Sequence, residues 1–399
     1  MQIIAKSIAD QIGNSSWIRR MFEMGTELKQ RLGSDRVFDF SLGNPDLPPP
    51  PSAREALLAI TAQIGEARAF GYVSNAGIPQ LREALAAKLA IEQQTPALKA
   101  EHVLIGCGAA GVLTSFFRAV LEPGDEVLCP SPYFVEYGSY CGHFGGVLVP
   151  VPSVLPSFDL DVEAMIAAIS SKTRVVLLNS PNNPTGVVYP AETLAALAGR
   201  LEAINRDRER PVFLLSDEPY RFLAYGGAVV PAMLPLSRFA VVAGSFSKSL
   251  SIAGERVGYM AINPEMPDGH LLMQAVTMTT RTLGFVNAPI IGQRMALMML
   301  DSGVDLGIYA TRRMLMARVL DEAGIRYAMP RGAFYFFPEA PGGDDLAFVQ
   351  RLLLENILAV PGRGFGCAGH FRLSFSVESD VISRSAAGFK RSAQAVAKT

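Results

Sequence analysis

Seven short apolar runs, most of them closed by a polar loop, constrain this chain more than any other feature. HVLI (102–105), EVLC (126–129), VLVPV (147–151), RVVLL (174–178), VFLL (212–215), FAVVA (239–243) and VGYMAI (257–262) recur through the middle of the sequence, with helical-period stretches between several of them. Runs that are apolar throughout, rather than alternating, predict strands buried on both faces. The fold class that follows is α/β, a mostly parallel seven-stranded sheet with helices on both faces. Five loops after these runs, GCGAAG, PSPY, NSPNNPTG, SDEPY and GSFSKS, are rich in Gly, Ser, Asn or Asp. Ligands of open parallel sheets bind outside the carboxyl ends of the strands, so the five loops are expected to converge on one crevice.

The flanks read differently. A helix is expected over Trp17–Leu32, followed by the turn-rich GNPDLPPPP (43–51). Beyond residue 287 the pattern becomes helices near 288–300 and 305–323, then FYFFP, a helix at 345–355 and the strand-like FRLSFS. This predicts a smaller α+β domain at 291–399, completed by residues 1–45, with the large domain at 46–290. The uncharged stretch Tyr137 to Phe158 is too rich in Gly and Pro for a membrane helix and reads as a loop feeding a buried strand.

Charge and cysteine usage narrow the function classes. The 399 residues carry 36 basic and 37 acidic side chains, a net charge of −1, so no positive field is available for nucleic acid or an anionic membrane. The four cysteines show no C-x-x-C spacing, which argues against a zinc or redox site and is consistent with a reducing cytoplasm. The first sixteen residues meet Lys6 and Asp10 before an apolar run develops, unlike a secretory signal. A cytoplasmic location is the expectation.

The loops carry the chemistry. GCGAAG matches G-x-G-x-x-G between a strand and a helix, an arrangement that sets backbone N–H groups against a phosphate. A nicotinamide oxidoreductase would use the same loop for a dinucleotide, but Asp125 and Glu126 precede the next strand instead of closing it, which disfavours that alternative. Lys248 follows FAVVA among small hydroxyl residues, where partial burial and nearby charge would make its amine a nucleophile; an exposed loop lysine is the ordinary alternative. Arg256 and Ser245 are candidates for the same phosphate. Asp217 ends an apolar run, a costly place for a carboxylate without a cationic partner. Asn183 lies in a turn-forming segment, and Tyr133 and Tyr220 offer an aromatic face and a phenol. Together these groups make the inventory that pyridoxal phosphate requires.

In order along the chain stand Y-x-x-x-x-G-x-x-x-L-R (72–82), G-A-A (108–110), P-S-P-Y (130–133, ending at Tyr133), N-N-P-T-G (182–186) and D-E-P-Y (217–220). They are followed by S-F-S-K (245–248), G-E-R-x-G (254–258), G-A-F-Y (332–335) and F-R-L-S (371–374). The set resembles the class I aminotransferases, the aspartate aminotransferase-like branch of pyridoxal-phosphate enzymes of fold type I, over nearly the whole chain. The resemblance implies that Lys248 is the Schiff-base lysine and Asp217 the partner of the pyridinium nitrogen. Tyr220 and Asn183 would bond the ring's phenolic oxygen, and Tyr133 would stack on the ring. Ser245, Arg256 and the backbone of Gly108, Ala109 and Ala110 would hold the phosphate. Arg372 would grip the substrate α-carboxylate, assisted by Asn183 and the N–H of Gly43. A homodimer is implied, with Tyr72 reaching the neighbour's cofactor phosphate. Arg281, shortly before NAP (287–289), is a candidate for the distal carboxylate of acidic substrates, although its spacing is not that of dicarboxylate-specific relatives. Ala110 departs from the polar residue many relatives carry there, so the phosphate would rely more on backbone donors and Arg256. Ping-pong transamination follows from the resemblance, with a pyridoxal-phosphate C–S lyase of the same fold as the alternative.

Overall fold

The computed structural model describes residues 3–6, 8, 9 and 17–396, so the expectation about a leader at the amino terminus lies largely outside the described residues. Two compact units emerge. The larger comprises Asn44–Leu306 and Arg331–Ala333; the smaller comprises residues up to Gly43, Gly307–Pro330 and Phe334 onward.

The larger unit is organised by one sheet. Its strands are β1 (Val103–Cys107), β2 (Glu126–Ser131), β3 (Val147–Pro152), β4 (Thr173–Asn179), β5 (Phe213–Asp217), β6 (Ala240–Ser245) and β7 (Val257–Ile262), in the spatial order β1-β7-β6-β5-β4-β2-β3. All pairings are parallel except those of β7, which runs antiparallel to both β1 and β6. Every residue of β5, β6 and β7 is buried, as continuous apolar runs require when helices cover both faces. Helix α1 (Gly108–Val120) supplies Phe116 and Phe117 to the core, where Phe116 meets Phe213 edge-on at 5.5 Å.

Three expectations are corrected. VLVPV is not a buried strand: β3 is the sheet's edge, with Val147 half exposed, and an edge tolerates Pro150 and Pro152 because it has a side that needs no ladder hydrogen bonds. Ahead of it, a six-residue helix α2 (Tyr137–Gly142) forms despite its glycines, since Tyr137 and Cys141 bury completely against the core. The large unit also runs to Leu306, past 290, because helix Ile290–Met298 packs on helices Ser52–Ala62 and Pro79–Glu92.

The smaller unit is α+β. Strand Phe371–Ser374 lies between Val360–Pro361 and Tyr335–Phe336 in an antiparallel sheet, and Phe38–Asp39 pairs in parallel with Ile357–Leu358. That second pairing ties the amino-terminal segment to the carboxyl-terminal one. Helix Trp17–Leu32 has the bounds its sequence predicts. Among the described residues, no helix is long and apolar enough to cross a membrane.

Candidate active site

Strand register gathers the chemistry of the larger unit. Asn179 at the end of β4 pairs with Asp217 at the end of β5, which pairs with Ala243 on β6. Two residues on, Ser245 stands opposite Gly258 of β7, itself opposite Gly106 of β1. The loops after β1, β4, β5 and β6 therefore leave the sheet from neighbouring positions.

Asp217 is 5 % exposed. The Tyr137 hydroxyl donates to its Oδ2 at 2.6 Å, while Oδ1 is buried without a hydrogen-bond partner. Burial pushes the carboxyl pKa up to about 7, against the opposing pull of the Tyr137 hydrogen bond and with a further push from Glu218. The Tyr137 phenol is itself driven well up, by burial and by Asp217, so it stays a donor. Asn179 fixes the backbone around both: its Nδ2 donates to the Asp217 carbonyl at 2.8 Å and its Oδ1 accepts from the Asn183 N–H at 2.7 Å. Tyr137 and Asn179 were not among the candidate residues read from the sequence. A tyrosine in a Gly-rich stretch carries no local signal for a carboxylate 80 residues away; Asn179, inside NSPNNPTG at a strand end, carried one.

Glu218 points its charge elsewhere. It is 3 % exposed and accepts from Gln93 at 2.9 Å, Ser216 at 2.9 Å and Arg221 at 3.1 Å. Burial raises its pKa while Arg221 opposes the rise. The side-chain carbonyl of Gln93 in turn accepts from the Met233 N–H at 2.7 Å. This closed network satisfies the glutamate and leaves Asp217 as the acid with an open oxygen.

Backbone approach shapes the turn between β1 and α1. Gly108 has φ +69°, and a Cβ there would lie 2.7 Å from Arg256 Nη2. A Cβ on Gly258 would overlap the Gly108 carbonyl carbon and lie 2.6 Å from the Ala109 nitrogen. Glycine at both positions lets β7 and the Arg256 guanidinium close on the start of α1, whose first-turn N–H groups have no intrahelical partner. Cys107, the residue before this helix, provides no side-chain cap. Arg256 adopts a left-handed backbone (φ +52°) and anchors Nη1 on the Ala253 carbonyl at 3.0 Å. Ser245 Oγ lies 2.7 Å from Ser247 Oγ and accepts from the Ser247 N–H at 3.0 Å.

Lys248 is half buried in the short helix α3 (Phe246–Ser249) directly after β6. Tyr220 is buried three residues past Asp217, and Asn183 is buried in the loop after β4. Tyr133 is half buried against the core, its phenol pKa raised by burial. Tyr72 is 93 % exposed, beside a cavity lined by Phe70, Phe285, Asn287 and Pro289. Arg281 is exposed in the last turn of helix Gly269–Thr282.

The remaining candidates belong to the smaller unit. Arg372, 2 % exposed, lies between the rings of Tyr335 and Phe365, each 4.8 Å from its guanidinium carbon, and donates from Nη2 to the Ser41 carbonyl at 2.5 Å. Asp39 orders that carbonyl's residue, accepting from the Ser41 N–H at 3.1 Å and the Ser41 hydroxyl at 2.6 Å, and is itself bridged to Lys29 at 2.7 Å. Gly43 packs so closely on the Tyr335 ring that any side chain would overlap the phenol. Among the described residues no group of His, Cys, Asp and Glu is placed to hold a metal ion.

Comparison with known proteins gives a consistent result. Residues 35–388 match the family described as aminotransferase class I and II. The probable aspartate/prephenate aminotransferase of Aquifex aeolicus is 34% identical over 87% of this chain and 88% of its own length. The aspartate/prephenate aminotransferase of Thermus thermophilus is 33% identical over 91% and 92%. Among solved structures, an aminotransferase from Eubacterium rectale superposes with a TM-score of 0.94 at 34% identity, covering 99% of both chains. The Thermus thermophilus aspartate aminotransferase with maleate gives 0.86 at 28% identity, covering 98% of this chain and 100% of that one.

Proposed function

This chain belongs to the class I and II aminotransferases, and from that premise we propose that it moves an amino group from an amino acid to a 2-oxo acid with pyridoxal 5'-phosphate held in the larger unit. The observation that carries the reading is the open oxygen of Asp217. A buried carboxylate oxygen without a partner is costly unless a donor arrives to meet it, and a protonated pyridine nitrogen is such a donor. The N–H groups of Gly108, Ala109 and Ala110, the Ser245 hydroxyl and the Arg256 guanidinium are a donor set suited to a phosphate dianion. Asn183 and Tyr220 supply donors for the ring's phenolic oxygen, and Tyr133 supplies a face. The residues fit the group.

When bound, pyridoxal phosphate supplies an aldehyde carbon that joins to amines and a ring that draws off the electron pair left when the substrate Cα loses its proton. Asp217 holds a proton at the ring nitrogen. The Lys248 amine, freed when the substrate amine takes its place, would serve as the base that accepts the substrate Cα proton and holds it for return. Arg372 offers a planar fork to the substrate α-carboxylate, with the Gly43 N–H as a further donor. One substrate enters and leaves before the second binds, which is ping-pong kinetics. A homodimer completes the proposal, with Tyr72 as the residue offered to the neighbouring copy. Its 93 % exposure beside the also exposed Phe70 supports that reading.

The test is a panel of amino donors with 2-oxoglutarate, following both the new 2-oxo acid and glutamate. The names of the relatives make aspartate the first donor to try. Transamination that falls by at least about a thousandfold in Lys248→Ala, with folding intact, is the expected result. Ammonia or thiol release without an acceptor would identify a lyase instead.

A further inference from the structure

One buried phenol has no place in the chemistry above. Tyr137 is completely buried in helix α2 and spends its hydroxyl on one oxygen of Asp217. A carboxylate has two equivalent oxygens and a freely turning plane, so a group that fixes one oxygen decides where the other points.

We propose that Tyr137 is a positioning residue: by donating to Oδ2 it turns the Asp217 carboxylate so that Oδ1, the oxygen left open, is the one presented to the cofactor's ring nitrogen. The inference rests on the pyridoxal-phosphate reading. Three observations support it. The Tyr137 contact is short, 2.6 Å. The second oxygen is buried and has no hydrogen-bond partner. The Asp217 backbone is independently held by Asn179 and by the sheet on both sides, so side-chain rotation is the freedom left to remove.

The hydroxyl also sets where the proton resides. Around Asp217 the titratable groups are Tyr137 and Tyr140 on α2, Cys129 on β2 and the adjacent Glu218. Of these only Tyr137 donates a hydrogen bond to the carboxylate among the described residues, and that bond lowers the affinity of Asp217 for a proton. A less basic carboxylate leaves the shared proton on the ring nitrogen. Without the hydroxyl, Asp217 competes for it.

The experiment compares Tyr137→Phe with wild type in three readouts. Binding of pyridoxal phosphate to the apoprotein is measured beside binding of its analogue with carbon in place of the ring nitrogen. The titration of Asp217 in the apoprotein is followed by carbon-detected NMR of its labelled carboxyl. The binding comparison is repeated in an Asp217→Asn background. The proposal expects Tyr137→Phe to weaken pyridoxal phosphate about tenfold, to leave the analogue unchanged, to raise the Asp217 midpoint, and to have no selective effect once Asp217 is Asn. Equal weakening of both ligands, or an unmoved midpoint, would reduce Tyr137 to a packing residue and overturn the proposal. Should Tyr137→Phe fail to fold, Tyr137→3-fluorotyrosine keeps the ring and strengthens the donor; the midpoint must then fall, and a midpoint that stays put overturns the proposal. Wild-type apoprotein that takes up no pyridoxal phosphate would instead refute the cofactor reading, a distinguishable failure.

Discussion

At the scale of single residues the site is a set of charges held in costly places, and two of them make predictions. Asp217 has a carboxyl pKa raised to about 7 by burial, well above the roughly 3.9 of an unfolded chain. Its protonation therefore favours the folded apoprotein fully below about pH 4, and that contribution disappears as pH rises through about 7. Asp217→Asn cannot titrate, so the variant's stability advantage over wild-type apoprotein should grow across this window, to on the order of 4 kcal/mol at most, and then level off. Denaturant unfolding at a series of pH values measures the difference; a constant offset would show that Asp217 titrates normally. Arg372, buried between two rings on the Ser41 carbonyl, is an unusual cation to bury for packing alone. Arg372→Ala should raise KM for amino acids by about 100-fold or more, and Arg372→Lys should recover little because an ammonium lacks the planar fork. Simple amines without a carboxylate should be affected much less, and an equal loss for both would remove the role. Lys248 and Asp217 stood out in the sequence because each is a charge at or just past the end of an apolar run, whereas Arg372 was singled out only by the F-R-L-S motif of the resemblance. Tyr137 was not, because its partner is reached only after β2, β4 and β5 have assembled side by side.

At the scale of elements, apolar runs were a sound guide wherever a strand is covered on both faces, as in β4 to β7. They misled at β3, where an equally apolar sequence lies on the sheet's edge: a run of Val and Leu shows what can be buried, while neighbours decide what is. The α2 helix was illegible for a related reason, since its glycines cost helix propensity that tertiary burial of Tyr137 and Cys141 offsets. The turn between β1 and α1 depends on a third kind of information, the distance between β7 and the start of α1. Gly258 closes the G-E-R-x-G motif in the sequence, but its reason is visible only in the structure, where a Cβ there would strike the backbone of Gly108 and Ala109. Backbone cannot swing aside as a flexible side chain can, so Gly258→Ala should displace the first turn of α1. The expected result is a loss of about 1–3 kcal/mol in stability from overpacking, with pyridoxal-phosphate affinity falling further than Arg256→Ala alone would cause. Calorimetry of cofactor binding on both variants tests this, and normal affinity in Gly258→Ala would show that the turn has slack.

At the scale of the whole molecule, the chain's two units carry separable parts of the chemistry: the seven-stranded unit holds the candidate cofactor groups and the α+β unit holds Arg372 and Gly43. Family membership was legible in the ordered motifs because they record that chemistry directly, and it sets aside the dinucleotide reading of GCGAAG. Substrate choice was not legible, because it depends on what meets the substrate's side chain, and the one candidate was Arg281. Its side chain is exposed at the carboxyl end of helix Gly269–Thr282 and has no hydrogen-bond or ion-pair partner among the described residues. A cation in a last helical turn is favoured by the helix dipole alone, by a few tenths of a kcal/mol to about 1 kcal/mol, and that interaction would explain Arg281 without any substrate. The dipole effect is indifferent to which amino acid is the donor, whereas pairing with a distal carboxylate is not. Arg281→Leu should therefore raise KM for aspartate and glutamate by about tenfold or more while leaving alanine and aromatic donors near wild type, as expected when a charge-assisted pair is lost. Because the proposed role places this arginine in the neighbouring copy's site, the selective loss should also appear only under conditions where sedimentation shows a dimer. A loss shared by all donors would return Arg281 to the helix dipole and leave acidic side chains to be recognised elsewhere.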